Sequence, residues 1–264
     1  MTETLLTELN DGLLVITLNR PERRNALNRE MNHALRDVLV KATYDPAVRA
    51  VLLKGSGGHF CVGGDVKAMN EGQDADLSTG ERMHGLRDRM SVSKYLHDMP
   101  KPTIAAVEGS AAGAGFSIAL ACDLRICSED AKITTAFAKV GLSGDYGGTF
   151  FVTQMLGAAK ARELFLLSPL LSGSEAAQLG LMTRAVSPAS VVDEAMALAV
   201  QLANGPTLTL GRIKQNIAKA EAGGNLSECL DLEAHNLTLS WLTADHKEAA
   251  AAFVEKRKPV FKGA

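Results

Sequence analysis

Twice in this chain a short apolar run rich in β-branched residues leads straight into a glycine-rich turn. The first run, residues 50–54, is followed by Gly55-Ser56-Gly57-Gly58-His59-Phe60-Cys61-Val62-Gly63-Gly64-Asp65-Val66. The second, residues 103–107, is followed by Glu108-Gly109-Ser110-Ala111-Ala112-Gly113-Ala114-Gly115, which opens a helical stretch over 116–122. Runs of this length and type predict strands. A glycine turn at a strand end exposes backbone N–H groups with no side chain in the way, and a helix start adds partial positive charge to them. Either turn could therefore hold an anion, or could simply be a tight connection. Neither has the plan of a phosphate loop or of a dinucleotide fingerprint, so nucleotide hydrolysis and hydride transfer draw little support.

The surrounding pattern is α/β. Further strands are expected over 13–18, 124–127 and 182–186. In 28–44, Met31, Ala34, Leu35, Val38, Leu39 and Ala42 recur at helical spacing, with Asn28 placed to cap. Strands alternating with helices imply a layered α/β core. Beyond Ser187 the chain reads as helices alone, over 188–203, 206–221, 226–242 and 245–257. We therefore expect a core over 1–200 and a helical C-terminal region over 201–264. Asp245, three residues ahead of Glu248, is placed to cap the last helix. The polar stretch 71–80 reads as a loop that could cover a site.

The 264 residues, 46% hydrophobic and 22% charged, suffice for a substantial core. A net charge of -2 offers no general attraction to nucleic acid or anionic lipid, so neither is expected as a partner. The start lacks a signal-peptide plan, no segment approaches spanning length, and Cys61, Cys122, Cys127 and Cys229 form no CxxC pair. A cytoplasmic protein without a metal site is the expectation.

Taken together, the two turns, the stretch Asn19-Arg20-Pro21-Glu22-Arg23-Arg24-Asn25-Ala26-Leu27, the stretch Ala121-Cys122-Asp123-Leu124-Arg125, the segment Val140-Gly141-Leu142-Ser143-Gly144-Asp145-Tyr146-Gly147-Gly148-Thr149 and the tail Phe253-Val254-Glu255-Lys256-Arg257-Lys258-Pro259 resemble the enoyl-CoA hydratase/isomerase (crotonase) superfamily. The resemblance covers nearly the whole chain. It implies a spiral of ββα units with a helical trimerisation region, trimers or hexamers, and an acyl-CoA thioester as substrate. No separate cofactor is implied, since coenzyme A is part of the substrate.

The resemblance also implies site residues. The oxyanion hole would take one N–H from Gly64 and one from Ala114, the latter in place of a frequent glycine. Arg24, Ala26, Val62, Gly63, Asp65, Val66, Gly113 and Lys256 would line the CoA and thioester site, Lys256 from an adjacent subunit, although Arg24 and Lys256 also fit ordinary solvated charge. Two donors so placed stabilise the enolate oxygen formed when a proton next to a thioester is removed, and loss of one costs about 3 to 4 kcal/mol.

Hydratases of this superfamily use two glutamates, and the corresponding positions here are Ser117 and Phe137. Phenylalanine has no proton to exchange, so ordinary two-glutamate hydration is disfavoured. Asp145 instead resembles the catalytic aspartate of dienoyl-CoA isomerases and of ring-modifying isomerases of aromatic-acid catabolism. One carboxylate suffices to move a double bond, and burial near Phe137 would raise its pKa to suit. The plainer reading of Asp145 is a cap on the helix starting near Gly147. Asp65 reads as a helix cap, Asp123 as a structural acceptor, Glu108 as a remote candidate, and Ser117 as a hydroxyl inside a helix. An isomerase is favoured; a hydratase or hydrolase using Asp145 and water, or an acyl-CoA-binding protein without turnover, are the alternatives.

Overall fold

The computed structural model describes residues 3–65 and 76–264. Strands β1 (Leu5–Asn10) and β2 (Leu13–Leu18) form an antiparallel hairpin across Asp11 and Gly12, whose φ angles of 47° and 83° are those of a tight two-residue turn. From β2 the sheet continues in parallel through β3 (Ala50–Gly55), β4 (Thr103–Val107), β6 (Leu124–Ser128) and β8 (Arg184–Val186). A second, two-stranded parallel sheet pairs β5 (Ser110–Ala112) with β7 (Lys132–Thr134) and lies beside the first glycine turn.

The main sheet is buried on both faces, and strand periodicity sorts its side chains. Val51, Leu53, Ala105, Val107 and Cys127 point into one core, and Ala50, Leu52, Ile104, Ala106 and Ile126 into the other. The first core is covered by α1 (Arg29–Tyr44), capped as expected by Asn28, whose side chain accepts from Met31 N at 2.8 Å. Met31, Leu35, Leu39 and Ala42 are its buried stripe. The second core is covered by α7 (Val191–Ala203) through Val191, Ala195, Ala199 and Ala203.

Between these lie α2 (Thr79–Arg89), α3 (Ser91–Asp98), α4 (Ala114–Ala121), α5 (Gly148–Leu167, interrupted at Gly157) and α6 (Gly173–Gln178). Helices α8 (Thr207–Glu221), α9 (Leu226–Trp241) and α10 (Ala244–Glu255) follow. Among the described residues no helix is long and apolar enough to cross a membrane.

Three details differ from the sequence reading. Strand β1 escaped it because Leu5 is its buried residue and the rest is exposed, which leaves little apolar signal. The short β5 and β7 were hidden inside a glycine turn and a polar stretch. Asp245 does not cap α10: Thr243 does, accepting from His246 N at 3.1 Å. The Asp245 carboxylate, buried, accepts instead from Lys262 N at 2.7 Å and Gly263 N at 2.9 Å, while Glu248 accepts from Val260 N at 2.9 Å. Both carboxylates hold the C-terminal tail. The loop expected over 71–80 falls largely outside the described residues, and its end is already the capping box of α2, with Ser78 and Glu81 reciprocally bonded.

Leu53→Ala, at a fully buried site on β3, is expected to lower the free energy of unfolding by about 2 to 5 kcal/mol in urea titrations. Asp245→Ala should speed amide exchange at Lys262 and Gly263 while leaving β3 and β4 protected; unchanged tail exchange would show that the carboxylate does not hold it.

Candidate active site

The first glycine turn is shaped by the polar stretch that follows β2. Asn25, buried and in the left-handed region at φ 57°, donates from its side chain to Ser56 O at 2.9 Å and His59 O at 2.7 Å and accepts from Arg20 N at 2.8 Å. Arg20 donates to Ala26 O at 2.6 Å and to Asp65 Oδ2 at 3.1 Å. Backbone bonds Val62 N to Arg24 O at 3.2 Å, Leu27 N to Gly63 O at 2.8 Å and Asp65 N to Leu27 O at 3.2 Å lay the segment 24–27 alongside 62–65. Every described member of the expected thioester site in these two segments therefore belongs to one short ladder. Val66 lies outside the described residues, as does the start of any helix that Asp65 would cap.

The second turn is locked onto the first. Cys61 N donates to Ser110 O and Ala112 N donates to Cys61 O, both at 3.0 Å. Glycine is required twice at this contact. A Cβ on Gly115 would lie 2.2 Å from Cys61 O, and one on Gly63, at φ +92°, would lie 2.9 Å from Ala112 O and 3.3 Å from Ala114 N. Gly63, and with it the adjoining Gly64, is thus held against the start of α4, of which Ala114 is the first residue. Among the described residues neither the Gly64 nor the Ala114 amide donates to any acceptor. Unpartnered N–H groups at a half-enclosed helix start are costly to leave bare, which is what a site for a developing oxyanion requires.

The far end of α4, where the chain returns to β6, is fixed by Asp123 and Arg125. Asp123 accepts from Thr103 N at 2.7 Å, Thr103 Oγ1 at 3.0 Å and Lys214 Nζ at 2.7 Å, the structural role expected of it. The buried Arg125 guanidinium donates to Leu181 O at 2.8 Å and to the carbonyls of Leu120 and Cys122 at the end of α4.

Above the second turn sits the segment that carries Asp145. Phe137 lies between them: a Cβ on Gly113 would be 3.7 Å from its ring, and one on Gly144 would be 3.9 Å away. Phe137 stacks on Phe165 with centroids 6.0 Å apart and planes at 4°. Ser117 is fully buried, and its hydroxyl donates to Gly113 O at 3.2 Å, the in-helix role expected of it. A helix-bonded hydroxyl and a stacked ring thus occupy the positions where the superfamily resemblance would place carboxylates.

Asp145 does not cap α5. The N-cap is Gly147, without a side-chain hydrogen bond, and Asp145 contributes its backbone carbonyl, accepting from Gly148 N at 3.1 Å. Its Oδ1 is buried and has no hydrogen-bond partner among the described residues. Burial pushes the carboxyl up to about 6, and the Arg89 guanidinium at the end of α2 pulls it partly back. A carboxyl in this range is a proton acceptor at neutral pH and a donor once protonated. The negative charge also helps to hold the buried Cys61 thiol up at about 12, chiefly an effect of desolvation, so Cys61 is not a thiolate nucleophile.

Sequence reasoning passed over Asn25, Tyr146, Asn32 and Arg89. Asn25 stood in a quoted motif, and its left-handed backbone had no sequence signal beyond asparagine's tolerance for it. Asn32 was a polar residue beside the apolar stripe of α1. Arg24 has an exposed side chain, and its carbonyl is what meets the turn. Lys256, exposed at the end of α10, is joined to the turns by no hydrogen bond or ion pair among the described residues. Glu108 contributes its carbonyl, accepting from Phe60 N at 2.9 Å. No group of three or more potential metal-ligating side chains occurs among the described residues.

Two abutting glycine turns on an α/β core, with amides that donate to no acceptor among the described residues, define a protein class suited to holding a negatively charged oxygen. The comparisons name it: residues 8–264 match the family model "Enoyl-CoA hydratase/isomerase", and the chain belongs to that family. Across the full length of both chains it is 39% identical to a 1,2-epoxyphenylacetyl-CoA isomerase of Escherichia coli K12. It is 36% identical to a probable enoyl-CoA hydratase of Rhodobacter capsulatus over 98% of each chain. The crystal structure of a putative enoyl-CoA hydratase from Streptomyces coelicolor A3(2) superposes with a TM-score of 0.93 at 34% identity, covering 99% of this chain and 94% of that one. The fold is the crotonase fold, and the protein is an acyl-CoA enzyme of that family.

Two outcomes follow. Gly63→Ala should displace the Ala114 amide and reduce kcat by about 10²-fold, and a wild-type rate would show the close approach to be dispensable. The second concerns stability: because the folded-state value of Asp145 lies above its ordinary 3.8, its ionised form weakens the fold. That cost is absent below about pH 4, grows as pH rises towards 6 and is complete above it, on the order of 2 kcal/mol. Asp145→Asn is therefore expected to raise the melting temperature at pH 8 by about 4 to 8 °C, with the gain vanishing near pH 3.

Proposed function

We propose that this enzyme is an acyl-CoA isomerase that shifts a double bond, with Asp145 as its acid/base and the Gly64 and Ala114 amides as its oxyanion hole. The observation that carries the reading is the half-buried Asp145 carboxyl, its Oδ1 buried and unpartnered among the described residues and its pKa pushed up to about 6. An ionised Asp145 takes a proton from a carbon activated by the thioester. The electron pair spreads to the thioester oxygen as a dienolate, where Gly64 and Ala114 N–H groups meet the charge. Protonated Asp145 returns the proton to the carbon at the far end of the dienolate, so the double bond moves and no atoms are gained or lost. Tuning towards neutrality serves both half-steps.

The isomerase name of the 39%-identical relative supports this reading. Relatives named hydratases keep hydration as a second reading. Against it, the two positions where the resemblance would place glutamates hold Ser117 and Phe137, engaged in helix and ring contacts, so neither supplies a carboxylate to activate water. The thioester would lie along the 24–27 and 62–65 ladder, with Gly63, Asp65 and Gly113 shaping the backbone. The helical region over 201–264, with exposed Leu230, Leu237, Trp241, Phe253 and Val254, would form a homotrimer or hexamer in which Lys256 meets a neighbouring subunit's CoA phosphates.

Vinylacetyl-CoA in D₂O tests the reaction. Wild type should incorporate solvent deuterium and form the conjugated isomer, with kcat/KM falling as pH drops through about 6. Asp145→Asn should lose about 10²- to 10⁴-fold in kcat while still binding the thioester. Water addition as the main wild-type outcome would point to a hydratase, and binding without turnover across varied acyl-CoAs to a silent binder.

A further inference from the structure

A catalytic carboxylate faces conflicting demands. Hydrogen bonds would aim it, but bonds to the ionised form lower its pKa and spend its basicity. Asp145 Oδ1 has no such bond among the described residues, so its aim must come through the backbone. That backbone is itself unusual: Gly144, Tyr146 and Gly147 have φ angles of 114°, 49° and 77°. A left-handed tyrosine persists where the surroundings hold it.

What holds it is on the next residue. The Tyr146 side chain runs inward, buried, and its hydroxyl donates to Asn32 Oδ1 at 2.6 Å. Asn32 is buried on α1 and donates from Nδ2 to Asn28 O at 2.9 Å, which turns its oxygen towards the phenol. Asn28 in turn caps α1. A continuous polar path thus joins the start of α1 to the peptide beside Asp145.

We propose that Tyr146 and Asn32 are positioning residues for Asp145, their hydrogen bond fixing the left-handed peptide that aims the carboxylate while leaving the carboxylate itself unbonded. This rests on the reading of Asp145 as the proton shuttle. Phenol and carboxamide touch no reacting atom. The charged or titratable groups that act on Asp145 are Arg89 from α2, Cys61 from the first turn and the Tyr146 phenol itself.

Tyr146→Phe, Asn32→Ala and their double variant, assayed with vinylacetyl-CoA across pH, test the proposal. Each single variant should lose about 10- to 100-fold in kcat with KM changed by no more than about two-fold. The acid limb should move down from near pH 6 as the released carboxylate gains water, and the double variant should be no worse than either single one. A folded Tyr146→Phe with wild-type kcat and acid limb would overturn the proposal, as would additive losses in the double variant; should Tyr146→Phe not fold, Asn32→Ala carries the same readouts. Asp145→Asn with full turnover would overturn this proposal and the isomerase reading together. An inactive Asp145→Asn beside unaffected Tyr146 and Asn32 variants would overturn this proposal alone.

Discussion

The structure depends on one close approach, that of the Gly63 backbone to the second turn at Ala112 and Ala114. Two strands of a parallel sheet end in turns that can abut at this distance because Gly63 on the first and Gly115 on the second carry no side chain there. The consequence is a pair of amides that secondary structure has no use for. Buried amides without acceptors are a liability in a fold selected for stability alone. In an enzyme that makes negative charge on an oxygen, they are preorganised stabilisation that needs no rearrangement during reaction.

Much of the rest serves that contact. Asn25 and Arg20 stitch the first turn to the segment after β2, and Asp123 and Arg125 fasten the far end of α4, the helix that the second turn opens. Both arrangements spend buried polar groups on carbonyls and N–H groups that the turns leave open, and such networks are sound when every member is satisfied. Asp145 departs from this, as His59 Nδ1 in the first turn does, with an orphaned buried polar atom, and the Asp145 pKa is raised. A group that departs from the rule its neighbours obey, beside a pair of free amides, is where function and stability pull apart.

The sheet's central strands and α1 were legible because burial on both faces, or on one helical stripe, writes a strong periodic signal. The run of glycines told where backbone is exposed, though not that the two turns meet, since that contact joins residues some fifty positions apart. Strand β1 was silent because a solvated edge strand needs no apolar pattern. Asp245 misled because a carboxylate near a helix start looks like a cap whether it bonds to its own helix or to the tail. Tyr146 and Asn32 had no sequence signal, since their partnership is tertiary and their residue types are ordinary.

A crystal structure with a non-hydrolysable acyl-CoA thioether or thioester analogue that retains the carbonyl tests the central claim most directly. The account predicts the carbonyl oxygen within about 3 Å of both the Gly64 and Ala114 nitrogens, and the Asp145 carboxylate within about 3.5 Å of the carbon that loses its proton. A carbonyl oxygen seated away from either amide, with Asp145 turned from the acyl chain, would contradict it.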